Sequence, residues 1–248
     1  MSMFERTELL LGAEGIEKLQ KAHVLVFGVG GVGSYTVEAL ARAGVGALTL
    51  VDDDTVSESN RNRQLVALCS TLNQPKVQVA AERIADINPA CKVTPVQMFY
   101  TPETAPQLPF EGFDYVVDAV DTVSAKIEII RRAQEAGVPV LSCMGTGNKL
   151  HPEMLQLTTI EKTEGCPLAR VMRRECRSRG LKNVQVLYSR EPAIPARALA
   201  EPPAGQENRP GAPKKTVPGS VSFVPGAAGL MIAGAVVRAI SGAENPNL

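Results

Sequence analysis

Apolar runs and helical repeats alternate along the first 145 residues of the chain. An apolar run at 23–28 leads into a glycine-rich turn and a helical stretch that ends near Ala43. A second apolar run, Ala47 to Val51, is followed by apolar positions at helical spacing over Lys76 to Ile87. Further strands are predicted near 92–97, 115–118 and 138–143, with a helix over about 123–136. This alternation predicts an α/β fold with a Rossmann-like, doubly wound and mostly parallel sheet.

The pattern changes towards the C-terminus. Strand-like runs at 154–160 and 184–188 flank a charged helix over about 167–179, which predicts an antiparallel C-terminal extension of the same sheet. The stretch 190–218 contains seven prolines and little periodicity, so we expect a mobile proline-rich loop there.

Length and composition agree with one large core. With 248 residues, 44% of them hydrophobic, we expect a single domain over 1–248 whose nucleotide-binding core is 28–145. The apolar run Phe223 to Val237 contains Pro225 and is about 15 residues long, shorter than the roughly 20 that cross a bilayer. A buried helix is therefore favoured over a membrane-spanning one at this run, and contact of the helix with a membrane surface stays open.

The cysteines bear on the cellular compartment. There are five, Cys69, Cys91, Cys143, Cys166 and Cys176, and none forms a C-x-x-C pair. This spacing favours neither a disulfide framework nor a zinc ribbon. The N-terminal residues also lack the apolar stretch of a secretory signal. We expect reduced thiols in a cytoplasmic protein.

Glycines in a G-x-G-G-x-G pattern lie between the first predicted strand and helix: Gly28, Gly30, Gly31 and Gly33. Backbone N–H groups at such a turn and at the helix N-terminus bind phosphate. Asp52 follows the second strand, 19 residues past Gly33, where a carboxylate accepts hydrogen bonds from ribose hydroxyls. These features fit a nicotinamide dinucleotide and ATP equally well, and Asp52 is alternatively a generic loop carboxylate.

Polar and cationic residues after the second strand favour the more anionic nucleotide. The segment S-N-R-N-R-Q holds Ser59, Asn60, Arg63 and Gln64, and Lys76 falls in the first turn of the next helix. A positive charge at a helix N-terminus is unfavourable by about 0.3 to 1 kcal/mol, and an anionic ligand reverses that effect. A triphosphate needs added cations, because a helix terminus supplies only about half a positive charge. We therefore predict ATP as the cofactor.

Two aspartates end a later predicted strand, in Y-V-V-D-A-V-D-T. Asp118 and Asp121 stand at its carboxyl end, where ligands lie in open α/β sheets. Oxygen ligands suit Mg²⁺, so Asp121 is the candidate to hold this ion between the phosphates. Alternatively, Asp121 only caps the helix that begins near Thr122.

The segments G-V-G-G-V-G, V-D-D-D-T-V, S-N-R-N-R-Q, Q-P-K and D-A-V-D follow one another over about 100 residues. In this order they resemble the ubiquitin-activating-enzyme-like superfamily of ATP-dependent carboxylate adenylators, of the ThiF type. The resemblance implies a homodimer in which Arg6, in R-T-E-L-L-L-G, reaches the ATP site of the other subunit. It also implies these roles: Asp52 holds ribose, Asn60, Arg63 and Lys76 handle phosphates, and Asp121 serves Mg²⁺.

Further stretches narrow the resemblance: F-E-R-T-E-L-L-L-G, I-N-P-A-C-K-V, K-T-E-G-C-P-L-A-R-V-M-R-R and P-G-A-A-G-L-M. They are similar to the tRNA threonylcarbamoyladenosine dehydratase family, and the two C-x-x-C zinc pairs of carrier-activating members are missing. That family implies ATP-dependent dehydration of N6-threonylcarbamoyladenosine in tRNA to its cyclic form. It implies a tRNA substrate and leaves a sulfur-relay protein open as a partner.

A basic helix face supports an RNA substrate independently. The chain carries 26 basic and 26 acidic residues, so only a local patch can attract a polyanion. Such a patch is predicted from the spacing i, i+3, i+4 and i+7 of Arg170, Arg173, Arg174 and Arg177. A solvated helix face is the alternative. Lys214 and Lys215 would add a phosphate contact from the proline-rich loop, and we expect RNA rather than DNA.

Two other functions stay open at this point. Within the superfamily, the chain would activate the C-terminus of a ubiquitin-like or sulfur-carrier protein, with a cysteine receiving the product; Cys143 and Cys166 are nearest the predicted site. From another class, it would be an NAD-dependent oxidoreductase or a non-catalytic nucleotide-binding module. His23 and His151 have no partner that suggests general-base chemistry, and neither is assigned a role.

Overall fold

The computed structural model describes residues 2–195 and 218–244. Most of the predicted proline-rich loop, with Lys214 and Lys215, lies outside these residues. Within them the strands form one sheet of seven: β1 (His23–Phe27), β2 (Ala47–Val51), β3 (Lys92–Val96), β4 (Tyr115–Asp118), β5 (Val140–Cys143), β6 (Leu155–Thr159) and β7 (Gln185–Ser189). Every strand predicted from the apolar pattern is confirmed, within about two residues at each end.

The sheet has the order β3-β2-β1-β4-β5-β7-β6. All neighbours are parallel except β6 and β7, which are antiparallel, so the predicted fold class is confirmed. The chain order reverses between β1 and β4, which makes their carboxyl ends the topological switch point where ligands bind. Phe27 at the end of β1 is in register with Val51 and with Asp118. The glycine turn, Asp52 and Asp118 therefore meet at one edge of the sheet.

In the described part of the chain six α-helices accompany the strands: α1 (Glu5–Lys21), α2 (Gly33–Ala43), α3 (Lys76–Ile87), α4 (Val123–Glu135), α5 (Pro167–Ser178) and α6 (Phe223–Ser241). The sequence pattern predicts all of them except α1. Gly12 interrupts α1 with a φ of 71°. The buried residues of α1, among them Ile16 and Leu19, all follow this kink. The first half of α1 has an exposed apolar surface instead, so no amphipathic helical pattern marks it.

The strands bury both faces. Alternate residues point to opposite sides of a strand, so Val26 joins a core with Leu40 of α2 and Ile232 of α6. Phe27 joins a second core with Ile129 of α4 on the other face. Near-continuous apolar strands are expected for a parallel sheet that is covered on both faces.

Helix α6 packs against α2, close to the glycine turn. Thr36 Oγ1 donates a hydrogen bond to the Gly229 carbonyl at 3.1 Å, and Val224, Ala228 and Ile232 are fully buried. By length and composition alone, α6 is the one described helix that qualifies as a candidate membrane span. Its packing against α2 is the arrangement expected of the predicted core helix.

Candidate active site

The glycine turn joins β1 to α2 at the switch point. Gly28 has a φ of 87°, a region that favours glycine, and a Cβ on Gly33 would lie 1.7 Å from the Gly28 carbonyl oxygen. Helix α2 begins without a side-chain cap. The N–H groups of Gly30, Gly31, Val32 and Gly33 donate to no acceptor among the described residues. Open N–H groups at a helix N-terminus form an anion-binding site.

Asp52 lies at the same edge of the sheet, after β2. Its Oδ2 accepts the Val29 N–H at 2.6 Å, and its Oδ1 accepts the Asp54 N–H at 2.9 Å. Burial raises the pKa of the Asp52 carboxyl group, and the nearby charge of Lys76 opposes this shift. A carboxylate has about four lone-pair sites, so acceptor capacity remains for ribose hydroxyls.

The segment after Ser57 places Arg63 beside the glycines. Arg63 Nη1 donates to the Ser59 carbonyl at 2.9 Å and to Asn62 Oδ1 at 2.8 Å. A Cβ on Gly31 would lie 3.5 Å from Arg63 Cγ, so the arginine stem adjoins the anion site. Asn60 Oδ1 accepts the Ser57 N–H at 3.2 Å and shapes the turn, and the contact of Asn60 with a phosphate stays a prediction.

The side chain of Gln64 has a buried acceptor that a bound nucleotide would satisfy. Its side chain is 8% exposed, and its Oε1 is one of two buried side-chain N or O atoms without a partner in the described part of the chain. Gln64 Nε2 lies 3.8 Å from the position of a Cβ on Gly30. An unsatisfied buried acceptor costs about 1–3 kcal/mol, and a hydroxyl or ordered water of a bound nucleotide would satisfy it. The residues present therefore fit ATP.

Lys76 is the buried cation of the site. Its Nζ donates to Asp54 Oδ2 at 2.6 Å; the lysine side chain is 4% exposed and the aspartate side chain 63%. A bridge between Thr55 and Pro75 holds the two segments together. Since Asp54 faces solvent, an entering phosphate oxygen can share or replace this partner.

Asp118 corrects an expectation from the sequence. It stands at the end of β4 as predicted, but it is fully buried and does not face a ligand. Its Oδ2 accepts Lys126 Nζ at 3.1 Å and Ser142 Oγ at 2.5 Å. Lys126 Nζ also donates to the Cys143 carbonyl at 2.6 Å. Lys126 and Ser142 are not among the residues predicted from the sequence, although a lysine within an apolar stretch of α4 is a signal for a buried ion pair.

Asp121 remains available as a metal ligand. Its side chain is exposed, and its Oδ1 accepts Thr122 Oγ1 at 3.3 Å. Thr122 is the N-cap residue of α4, and the helix has no side-chain cap, so the capping alternative for Asp121 is wrong. An exposed carboxylate at the ligand-binding edge suits Mg²⁺. Carboxylate oxygens of Asp52, Asp53 and Asp54 also lie within 4.8 Å of one another, but Asp54 is engaged by Lys76.

Arg6 is exposed on the first half of α1 and makes no hydrogen bond to another described side chain. Two leucines beside it are exposed to an unusual degree, Leu9 to 86% and Leu10 to 85%. Exposed leucines next to each other are typical of a surface that another chain covers. A contribution of Arg6 to a second subunit's site stays a prediction.

Helix α5 carries the predicted RNA-binding arginines Arg170, Arg173, Arg174 and Arg177. Arg173 is half-buried, and its Nη1 donates to both the carbonyl and the hydroxyl oxygen of Thr163, the latter at 2.7 Å. Arg174 pairs with Glu175 at 3.1 Å. The side chains of Arg170 and Arg177 are exposed and donate to no group in the described ranges. These two arginines are thus best placed to meet a phosphate.

The cysteines offer little nucleophilic character. All five are free thiols, and of these Cys69 alone is exposed. Burial raises the pKa of the Cys143 thiol to about 12. Because the thiolate is the reactive form, Cys143 is poorly suited to receive an activated product.

Comparisons with known proteins identify the family. The ThiF family model matches residues 4–248. The tRNA threonylcarbamoyladenosine dehydratase of Bacillus subtilis is 45% identical over 238 residues, which cover 96% of this chain and 94% of the relative. The molybdopterin-synthase adenylyltransferase of Salmonella typhimurium is 40% identical over 144 residues, 57% of each protein.

Solved structures agree with the sequence relatives. The Escherichia coli tRNA N6-threonylcarbamoyladenosine dehydratase TcdA in complex with ATP has a TM-score of 0.81 and 33% identity, over 96% of this chain and 95% of that one. The complex of the same enzyme with AMP has a TM-score of 0.82 and 32% identity, over 96% and 93%. With its glycine turn, flanking cations and these matches along almost its whole length, the chain belongs to the ThiF family.

Proposed function

We propose that the chain is an ATP-dependent tRNA threonylcarbamoyladenosine dehydratase. It activates the threonyl carboxylate of N6-threonylcarbamoyladenosine in tRNA, and cyclisation with loss of water follows. The observation that carries this proposal is the set of open N–H groups at Gly30 to Gly33, with Arg63 beside them. This arrangement is suited to a polyphosphate, and the relatives that match almost the whole chain indicate which acid is activated.

The residues contribute binding and charge stabilisation. A carboxylate oxygen of the substrate forms a bond to an ATP phosphorus, and the phosphoanhydride P–O bond at that phosphorus breaks. Arg63 and Lys76 stabilise the negative charge that develops on the phosphate oxygens, while Asp52 holds the ribose. An atom of the same substituent then attacks the activated carbonyl carbon and gives up its proton to water, and the phosphorylated oxygen leaves. No protein nucleophile is needed, because effective molarities of about 10⁵ to 10⁸ M are available within one substituent.

Mg²⁺ belongs to the proposal as well. When bound, it neutralises phosphate charge, and the exposed carboxylate of Asp121 would hold it at the carboxyl end of β4. Asp118 cannot share this task, since its oxygens are engaged by Lys126 and Ser142.

A homodimer is the assembly that we propose. The exposed Leu9 and Leu10 support it, because burial of two leucines stabilises an interface by about 1.5–3 kcal/mol each. Arg6 on the same half-helix would then reach the ATP site of the other subunit. The free thiols are in keeping with a cytoplasmic location, and a sulfur-relay partner stays a prediction.

Activation of a carrier protein is the second candidate within the family. The 40% identity to a molybdopterin-synthase adenylyltransferase favours it, but that match spans 57% of this chain, against 96% for the dehydratase of Bacillus subtilis. The buried thiol of Cys143, with its raised pKa, argues against a cysteine that receives the product.

The decisive experiment is mass spectrometry of nucleosides from tRNA incubated with the protein and ATP. We expect N6-threonylcarbamoyladenosine to lose the mass of one water only when ATP is present. A tRNA without this modification is the matched control. ATP–pyrophosphate exchange that depends on a carrier protein and not on tRNA would favour the second candidate, and tight NAD(H) binding without ATP turnover would exclude both.

A further inference from the structure

Asn62 lies between the phosphate-site residues Asn60 and Arg63, and both ends of its exposed side-chain amide are bonded. Its Oδ1 accepts a hydrogen bond from Arg63 Nη1 at 2.8 Å. Its Nδ2 donates to the Ser220 carbonyl at 3.0 Å, across 158 residues of sequence. One amide therefore joins the phosphate-site arginine to the segment that leads into α6.

That segment is anchored in turn to the loop after β5. The Gly219 N–H donates to Asn148 Oδ1 at 2.6 Å, and the Asn148 N–H donates to the Gly219 carbonyl at 2.7 Å. Asn148 has a φ of 58°, uncommon for a residue other than glycine, and its carbonyl accepts the Ile194 N–H at 2.9 Å. Ser220 thus directly follows a doubly bonded position, which makes its carbonyl a fixed acceptor for Asn62.

Arg63 gains from such an anchor. An arginine side chain loses up to about 2 kcal/mol of conformational entropy when it is fixed, and an arginine that is already held loses less on binding. Nη1 makes both of the arginine's hydrogen bonds, to Ser59 and Asn62, and within the described ranges Nε and Nη2 have no acceptor. The anchored nitrogen orients the guanidinium, and the other two nitrogens are left for phosphate oxygens.

We infer that Asn62 is a positioning residue that acts through Arg63, by holding its guanidinium between the glycine turn and the segment before α6. The inference rests on the proposed function for its ligand, the phosphates of ATP. Asn62 itself touches no phosphate in this scheme. A purely structural role would be different: loss of the amide would then loosen the protein and weaken all ligands alike.

The test compares ATP with adenosine, which lacks phosphates, by calorimetric titration of the full chain. Asn62→Ala should weaken ATP binding about tenfold, the effect of one hydrogen bond to a charged group. Adenosine affinity and the melting temperature should stay at the wild-type values. Gln74→Ala is the matched control, because Gln74 Nε2 donates to the Ser70 carbonyl at 3.0 Å away from Arg63; its ATP affinity should be unchanged.

A double mutant shows whether Asn62 acts through Arg63. In an Arg63→Ala background, Asn62→Ala should weaken ATP binding no further, since residues that act as one unit are not additive. The inference is overturned by an equal loss for ATP and adenosine, by the full tenfold loss in the Arg63→Ala background, or by unchanged ATP affinity in Asn62→Ala. If the wild type binds ATP and converts the tRNA nucleoside, those results leave the proposed function standing; a wild type that binds no ATP overturns both.

Discussion

Two buried lysines form ion pairs with aspartates near the carboxyl edge of the sheet, and their surroundings differ. Lys126 and Asp118 are both sealed, with 0% of either side chain exposed, and their N–O distance is 3.1 Å. Lys76 is almost as buried, with 4% of its side chain exposed, but its partner Asp54 is 63% exposed and 2.6 Å away. The first pair has no access to a ligand, whereas the second can exchange its carboxylate for a phosphate.

The difference shows that a lysine–aspartate ion pair has a structural role at one position of this sheet edge and a ligand-binding role at another. Lys126 also donates to the carbonyl of Cys143, and Asp118 also accepts from Ser142 and from the Val120 N–H at 3.2 Å. These bonds tie β4 to β5 and to the turn that carries Asp121. The sealed pair, Lys126–Asp118, therefore stabilises the strands and the turn on which the site is built. The half-open pair, Lys76–Asp54, lies at the site itself, where a ligand can reach it.

Breaking the sealed pair should have the largest effect. Lys126→Met leaves a fully buried aspartate without its cation, and such a change destabilises a protein by about 3–5 kcal/mol. Urea unfolding should show this loss in the free energy of unfolding. The same substitution at the half-open pair, Lys76→Met, is the matched control and should lose about 1 kcal/mol or less, since Asp54 is solvated. Equal losses for the two variants would contradict the comparison.

Activity should depend most on the two cations at the nucleotide site, Lys76 and Arg63. Lys76→Met and Arg63→Ala should each lower the ATP-dependent loss of water from the tRNA nucleoside by about 10² to 10³-fold, because each removes a cation from the transition state. Both variants should keep the wild-type circular dichroism spectrum. Asp53→Asn is a suitable control, since Asp53 is exposed and engages neither cation. Wild-type turnover in both cation variants would show that the site is misassigned.

The sequence predicts best where pattern alone decides structure. Helix α3 is predicted at Lys76–Ile87, the bounds that the structure has, because its apolar positions repeat at helical spacing and Pro75 marks its start. Helix α1 escapes prediction, since Leu9 and Leu10 face outward and Gly12 divides the repeat. Helical periodicity predicts a helix only when its apolar side is buried against the rest of the same chain, and the apolar side of this half of α1 is exposed.

For the site, the sequence predicts which residue types gather but not how each is bonded. The glycine turn, Asp52, Arg63 and Lys76 follow from spacing, because parallel strands bring their carboxyl ends to one edge. Asp118 looks equivalent to Asp121 in the sequence, yet it is sealed by Lys126, a contact that the packing of α4 against β4 creates. A lysine within an apolar stretch signals a buried ion pair, but the spacing of residues along the chain does not say which aspartate is its partner.

Arg170 and Arg177 of α5, which pair with no carboxylate in the described residues, extend the comparison to the predicted RNA surface. Arg170→Ala with Arg177→Ala should weaken tRNA affinity and lower the slope of log affinity against log salt by about 1 for each phosphate contact that is lost. Lys18→Ala with Lys21→Ala removes the same charge from α1, where both lysines already pair with glutamates, and should leave that slope unchanged. Filter binding over a series of salt concentrations measures both. Equal slopes for the two double variants would remove helix α5 from the RNA surface.

The smallest expected effect is a pH-dependent change in stability from Asp52, whose carboxyl group lies near the charge of Lys76. Burial raises its pKa in the folded protein and the charge of Lys76 opposes this, so ionised Asp52 is a net burden on folding. With the folded pKa above the unfolded one, this contribution lowers stability as pH rises from the ordinary aspartate pKa through the folded value. Wild type should therefore lose stability relative to Asp52→Asn over that pH range, and Lys76→Met should widen the loss by removing the opposing charge. Urea unfolding of the variants across this pH range measures the free energy of unfolding. If the difference in that free energy between wild type and Asp52→Asn stayed constant with pH, Asp52 would be no more buried in solution than an ordinary surface carboxylate.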